Sequence, residues 1–469
     1  YMADVYLNGQ HIGSHEGGFT PFQIEITGFV KAGDNALIIR VDNQRRKDGI
    51  PGMGYDWFNY GGITREVNLI EAPLEFIDDY FIQLAKNSNS VVSGWIRLNG
   101  SDSKENITIK IPELKINYTT QTSENGFAEV RFSGKFHLWS PDDPKLYKVI
   151  IASANDTVED EIGFRNIQVS GSRILLNGKP IFIKGVNIHE ERPIQAARAC
   201  TEADALILLN WAKELGCNLV RLAHYPHSEH IVRLAEKMGI MVWDEIPVYQ
   251  HIEFASSGFR KKMENMMNEM MRRDRNRCSV VVWSLSNETY TTTPERSEVL
   301  VEMTEKCRAQ DSSRLITSVL SNQKYENNTF EVWDPICRLL DIICINEYLN
   351  WYVPRQGNPS ETRWKFIVEK PLIISEFGGE AKFGSDYGPG DEAAWWNEEY
   401  QENIYREQVE MFAVTPNLVG VCPWLLVDYR SPVRMHPLYQ GGYNRKGLLS
   451  EFGEKKKAWF VIRDYYKSR

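Results

Sequence analysis

The 469-residue sequence predicts a multidomain protein, two β-sandwiches followed by a (β/α)8 TIM barrel, and three observations carry that prediction. The first third is written in short alternating apolar and polar runs broken by Asn-Gly, Ala-Gly-Asp and Gly-Gly turns, the texture of antiparallel sheet. After Arg173 apolar strand-like runs alternate with amphipathic helical stretches, which specifies parallel sheet with crossover helices. Eight such runs fall in about 300 residues, the size of a closed barrel.

Residues 1–72, with VYLNGQHIG, FQIEI and ALIIRV, form the first predicted sandwich. Residues 73–169 repeat the texture in YFIQLA, VVSGWIRLNG, ITIKI, FAEVRFSG and YKVIIASA, at spacings suited to a second. The barrel takes residues 170–469. Its strands are expected at 181–189, 219–226, 241–247, 280–288, 315–321, 342–348, 371–378 and 421–428. Between most of them lie ADALILLNWAKELG, HIVRLAEKMG, FRKKMENMMNEMMRRDRNR, EVLVEMTEKCRAQ and EEYQENIYREQVEMF, with apolar residues three and four apart, and Gly216 and Gly239 suit C-caps. Lys455 to Lys457 are expected to solvate a helix.

Composition narrows the function. Hydrophobic residues at 42 % and charged residues at 25 % exclude a disordered chain. A net charge of −9 supplies no basic footprint for nucleic acid. No window approaches the roughly 18 apolar residues of a membrane helix, so a soluble protein without a membrane partner is expected. Seven scattered cysteines without C-x-x-C spacing indicate neither a disulfide framework nor a zinc site. The chain opens on YMADVYLNG, in strand pattern and without Met or a signal segment, so an incomplete N-terminus is expected and the location, cytoplasmic or periplasmic, stays open. N-x-[ST] triplets at Asn106, Asn117 and Asn155 are too short to decide it.

The chemistry gathers at the strand ends. In such barrels the C-terminal ends of the strands share one face, while strand interiors are filled with branched apolar side chains. Strand four ends on WSLSNE and strand seven on IISEFG, so Glu288 and Glu376 are brought to one cavity. A strand-end glutamate can also simply pair with a barrel arginine such as Arg221, but two of them in this joint pattern point to catalysis. Two carboxylates held at different pKa values, one an acid and one ionised, are what glycosidic cleavage requires. A gap of about 5–5.5 Å makes the reaction retaining, and about 6.5–9.5 Å leaves room for the water of an inverting one. The same rim is expected to hold His189, Glu190, His224, Tyr225, Asp244, Glu245 and Tyr348, on different strands and without metal-ligand spacing, so neither metal nor cofactor is assigned. Trp351, Tyr352 and Trp424 suit the apolar face of a sugar ring.

GVNIHEERP, NLVRLAHYPHSEHIVRLAEKMGIMVWDEIP, WSLSNE and IISEFG together resemble glycoside hydrolase family 2, which contains β-galactosidases, β-glucuronidases and β-mannosidases. YDWFNYGGITREVNLI looks like the end of that family's N-terminal jelly roll, here partial, and LWSPDDPKLY with GFR like its immunoglobulin-like domain. The resemblance spans the chain. It implies a retaining exo-β-glycosidase with Glu288 as acid/base and Glu376 as nucleophile, Asn287 on the sugar 2-hydroxyl, Tyr348 and Arg221 beside the nucleophile, and His189, His224 and Trp424 lining the pocket. A carbohydrate or glycoconjugate substrate and a homo-oligomer follow from the same likeness.

INEYLNWY resembles the N-x-Y-x-x-x-Y arrangement of β-glucuronidases, through Asn346, Tyr348 and Tyr352, and YNRKGLL carries Asn444 and Lys446 in the N-x-K element that grips a uronic acid. Asp56 matches a glucuronidase residue that reaches the sugar from the jelly roll. A C6 carboxylate calls for a cation and an amide donor, whereas a neutral hexose is expected to leave Lys446 without a charge partner. The resemblance thus favours glucuronide, with galactoside and galacturonide as alternatives and a non-catalytic carbohydrate-binding protein as the rival class. Magnesium-dependent galactosidases of the family use Glu-x-His after strand three, where this chain has Tyr249, Gln250 and His251. The text of residues 429–442, YRSPVRMHPLYQGG, departs from the usual glucuronidase pattern, and the short segment after His189 predicts an open cleft.

Overall fold

The computed structural model describes residues 1–100, 104–195, 197–290, 292–321, 323–385 and 395–469. The N-terminal stretch supplies one three-stranded antiparallel sheet, with Met2–Leu7 between Gln10–Glu16 and Leu37–Asp42. FQIEI, expected as a strand, is irregular chain. Its Ile24 lies over the sheet at Gly13, where a Cβ would meet the Ile24 Cδ1 at 2.8 Å, so the alternation records a half-buried cover rather than a ladder.

The second unit is a sandwich of two antiparallel sheets. Phe76–Leu84, Val91–Asn99 and Phe127–Ser133 form one face, and Thr157–Ile162, Tyr147–Ala152, Asn106–Ile111 and Ile116–Gln121 the other. Ile82, Val92, Ile96, Ile107, Ile109, Val149 and Ile151 meet between them, following the period of two that strands impose. Arg165 then clamps the sandwich to the barrel by donating to the carbonyls of Cys278, Ser313 and Val280 at 3.1, 2.7 and 2.6 Å.

The barrel closes as Ile183–Ile188, Leu219–Leu222, Met241–Glu245, Val280–Asn287, Leu315–Leu320, Ile343–Asn346, Leu372–Glu376 and Leu418–Val421, strands one to eight in that order. Helices Glu202–Leu215, Glu229–Met238, Phe259–Asp274, Pro294–Gln310 and Glu398–Phe412 wrap it, with Gly216 and Gly239 left-handed at the ends of the first two. Between strands five and seven the barrel is covered by short strands, Lys324–Glu326, Thr329–Val332 and Arg363–Phe366.

Two expectations are corrected. Strand eight precedes the expected stretch 421–428 and shares only Val421 with it. Gly420, which weakens the text as a strand, is there because strand one lies so close: a Cβ would sit 2.4 Å from that of Ile183. The lysines before helix Lys457–Lys467 are not one solvated face. Lys456 is fully buried and donates to both oxygens of Asp428 at 2.8 and 2.9 Å, tying the last helix to the loop after strand eight. Among the described residues no helix is long and apolar enough to cross a membrane.

Replacing Gly420 by Ala is expected to destabilise the barrel by about 1–3 kcal/mol through overpacking, read as a lower thermal midpoint with the secondary structure retained.

Candidate active site

Arg221 leaves the end of strand two with no solvent exposure. Its Nε and Nη2 donate to the two oxygens of Glu245 at 2.9 Å each, Nη1 to Asn187 at 2.9 Å and to Glu376 Oε1 at 2.8 Å, and Nη2 also to Asn287 Oδ1 at 2.8 Å. Burial opposes the charge, yet the Glu245 and Glu376 carboxylates hold the guanidinium pKa far above its ordinary value. Tyr348 completes the setting of Glu376 by donating to Oε2 at 2.7 Å. Both oxygens of Glu376 are thereby aimed.

Among the described residues Glu288 has no such cation. It follows strand four at φ 51°, a left-handed conformation that non-glycine residues rarely adopt and that functional sites retain at a cost of about 1–3 kcal/mol. Burial first, and then the negative charge of Glu376, push its carboxyl above the usual range. Donors from Gln250, at 2.8 Å from Oε2, and Asn346 pull the other way without cancelling the rise. The two carboxyls thus stand in different surroundings, Glu376 against a guanidinium and Glu288 against an amide. Of the two, only Glu376 pairs with a barrel arginine.

Asn287 accepts from Arg221 and, at 3.3 Å, from Asn346, while its own buried Nδ2 has no hydrogen-bond partner among the described residues. His189 is similar: Nδ1 meets the Tyr225 hydroxyl at 3.2 Å, and the buried Nε2 has no partner among the described residues. Burial, with the charges of His224 and Arg221 behind it, keeps His189 well below its ordinary pKa, hence neutral. His224 rests on Glu245 at 2.9 Å and stacks on Trp424, with ring centroids 4.8 Å apart.

Two expected members of the rim turn away from it. Glu190 is held by Arg65 and Arg198 at 3.0 and 3.1 Å, which overcome the cost of its burial and lower its pKa to about 2. Asp244 faces Arg273 and Asp274 behind the barrel, because successive strand residues point to opposite sides.

Sequence reasoning missed Trp57. It is 2 % exposed and packs its ring against His189, His224, Tyr225 and Tyr249 at 5.1–5.9 Å, plugging the sheet domain into the barrel mouth. Asp56 is carried in beside it. The run YDWF held the available signal, two aromatics around a carboxylate in a turn-rich stretch.

The structure brings Asp56, Asn444, Tyr352 and Lys446 together around a residue that was not singled out, Arg434. Its Nε and Nη2 donate to Asp56 at 2.9 and 2.7 Å, and Nη2 reaches the Tyr352 hydroxyl at 3.0 Å. Lys446 Nζ donates to that same hydroxyl at 2.8 Å, and Asn444 Nδ2 to Asp56 at 3.3 Å. The expectation that Lys446 lacks a charge partner in the absence of a uronate is corrected. Its Nζ donates to the fully buried Glu380 at 3.0 Å. Burial raises the Glu380 pKa, but Lys446 and Arg434 outweigh it and the net direction is down. Glu380 ends the run EFGGE, four residues past Glu376, and no periodicity marks it as buried.

A barrel mouth holding one carboxylate against a guanidinium and a second raised by burial is equipped for acid-assisted glycosyl transfer, and the chain is a glycoside hydrolase. Family profiles match along it: the sugar binding domain of glycosyl hydrolases family 2 at residues 1–73, a further family 2 domain at 75–165, and the family 2 TIM barrel domain at 167–442. The chain belongs to glycosyl hydrolases family 2. It is 28 % identical to a β-glucuronidase of Rattus norvegicus over 99 % of this chain and 76 % of that protein, and 27 % identical to one of Streptococcus agalactiae over 100 % and 85 %. Among solved structures it resembles a β-galacturonidase from Eisenbergiella tayi bound to galacturonate, with TM-score 0.86, 25 % identity and coverage of 100 % and 86 % of the two chains. A β-glucuronidase from an uncultured Clostridium gives TM-score 0.83 at 25 % identity, covering 100 % and 83 %.

Replacing Arg221 by Met strands two buried carboxylates, and a loss of about 3–5 kcal/mol is expected in denaturant unfolding, well beyond that of an exposed arginine such as Arg406.

Proposed function

We propose that the protein is a retaining exo-β-glucuronidase. Glu376 attacks the anomeric carbon while Glu288 passes its proton to the glycosidic oxygen. The aglycone leaves, and a glycosyl ester on Glu376 remains. Water, deprotonated by Glu288, then attacks the same carbon and frees the sugar with its configuration retained. Tyr348 and Arg221, each bonded to one oxygen of Glu376, fix its line of attack. The unpartnered Asn287 Nδ2 is the donor for the sugar 2-hydroxyl, a bond that strengthens as oxocarbenium character grows.

One observation carries the uronide preference: two cations, Lys446 and Arg434, donate to a single acceptor, the half-exposed Tyr352 hydroxyl. Their hydrogens converge on a point beside the glycone, where a C6 carboxylate can take over donors a neutral hydroxymethyl group uses poorly. The names of the relatives agree with a uronide. The galacturonate-bound neighbour makes galacturonide the second reading, since the two uronic acids differ only at C4.

Hydrolysis of p-nitrophenyl β-D-glucuronide is expected to exceed that of the galacturonide, galactoside and mannoside, with Glu376→Ala inactive on all. Faster turnover of a neutral glycoside would refute the preference. Glu288→Gln is expected to lose about 10²–10⁴-fold in kcat/KM. Lys446→Ala should cost about ten- to a hundredfold more on the glucuronide than on the galactoside.

The pH profile tests the acid. Glu288 must be protonated in the free enzyme, so kcat/KM falls as pH rises through its pKa. Gln250 lowers that pKa by bonding the ionised form. Gln250→Leu is therefore expected to move the alkaline limb to higher pH, and an unmoved limb would assign the acid elsewhere.

A further inference from the structure

The acid that protonates the glycosidic oxygen stands on the leaving-group side, so whatever lies beyond Glu288 receives the aglycone. This rests on the role given to Glu288 above. Two rings lie there. His251 follows Gln250, whose amide bonds Glu288, and Tyr290 is two residues past Glu288. Tyr290 is 43 % exposed, His251 is exposed too, and their centroids are 5.1 Å apart with planes inclined at 54°. Burial and then the charges of Glu288 and Glu376 raise the Tyr290 pKa, so its ring is in electrostatic reach of the reacting centre.

The N-terminal domain braces this wall. A Cβ on Gly52 would meet the His251 carbonyl oxygen at 2.5 Å, and one on Gly54 the His251 ring at 3.2 Å. Lys446, Arg434, Asp56 and Glu380 form a separate charged cluster, bonded to one another and to the Tyr352 hydroxyl.

We infer that Tyr290 and His251 form an aglycone subsite for a leaving group with a flat apolar face, either an aryl ring or the apolar face of a pyranose. Stacking there contributes to binding before and during glycosidic cleavage and sets which conjugates react fastest.

The test compares kcat/KM for p-nitrophenyl, methyl and glucosyl conjugates of one glycone, whichever the wild type cleaves best. A wrong glycone then changes the substrate series without touching the readout. Tyr290→Ala is expected to lower the ratio of aryl to methyl substrate about three- to tenfold, and Tyr290→Phe to preserve it. If the glucosyl ratio falls as well, the pocket takes pyranoses too; if only the aryl ratio falls, it selects aryl groups. Losses equal for all three substrates, or none, would overturn the subsite. His251→Ala provides a second variant with the same expected pattern should Tyr290→Ala fail to fold.

Discussion

The cleft is organised around one buried guanidinium. A cation taken out of water costs several kcal/mol, and Arg221 is tolerated because its hydrogens meet acceptors on strands one, three, four and seven. Those acceptors hold one another in register across the barrel. One cation faces two carboxylates, Glu245 and Glu376, and in the proposed reaction the excess negative charge lies where cleavage builds positive charge on the anomeric carbon. Burial first, and then the charge of Glu376, push Glu288 toward its protonated form.

The barrel alone does not complete the pocket. Trp57 seals its mouth from the sheet domain and delivers Asp56 to Arg434, on the loop after strand eight, while Arg65 reaches from the same domain to Glu190. Arg165 fastens the sandwich to carbonyls around strand four. The accessory domains therefore act on the site through rigid contacts at both ends of the barrel.

What was legible in the sequence follows from range. Barrel strands read as apolar runs because both faces are buried, and Glu288 and Glu376 stood out as charges at the ends of such runs. FQIEI misled because alternation reports burial on one side, which a covering segment satisfies as well as a strand. Strand eight was misplaced because Gly420 answers to the nearness of Ile183, more than two hundred residues away in the chain. Lys456, Glu380 and Arg434 were hidden for the same reason: their surroundings are fixed by partners on other elements, and a lysine beside two lysines looks solvated until Asp428 is brought to it.

The proposed uronate subsite then presents a problem of charge rather than of position. Arg434 and Lys446 are balanced within the protein by Asp56 and Glu380, so an incoming carboxylate meets a neutral cluster, not a bare cation. Long-range attraction cannot be the main source of selectivity there. Selectivity must come from short-range exchange, in which the substrate carboxylate competes with Tyr352 for the hydrogens of Lys446 and Arg434 while Asp56 and Glu380 stay in place. A phenol is a weaker acceptor than a carboxylate, so the exchange favours the acid, whereas a hydroxymethyl group gains little over the phenol it displaces. The internal carboxylates keep the two cations desolvated and oriented before substrate arrives, and they prevent mutual repulsion from driving them apart. On the proposed reading, discrimination between uronide and hexoside is the difference between two hydrogen-bond acceptors inside a preorganised, electrically balanced cage.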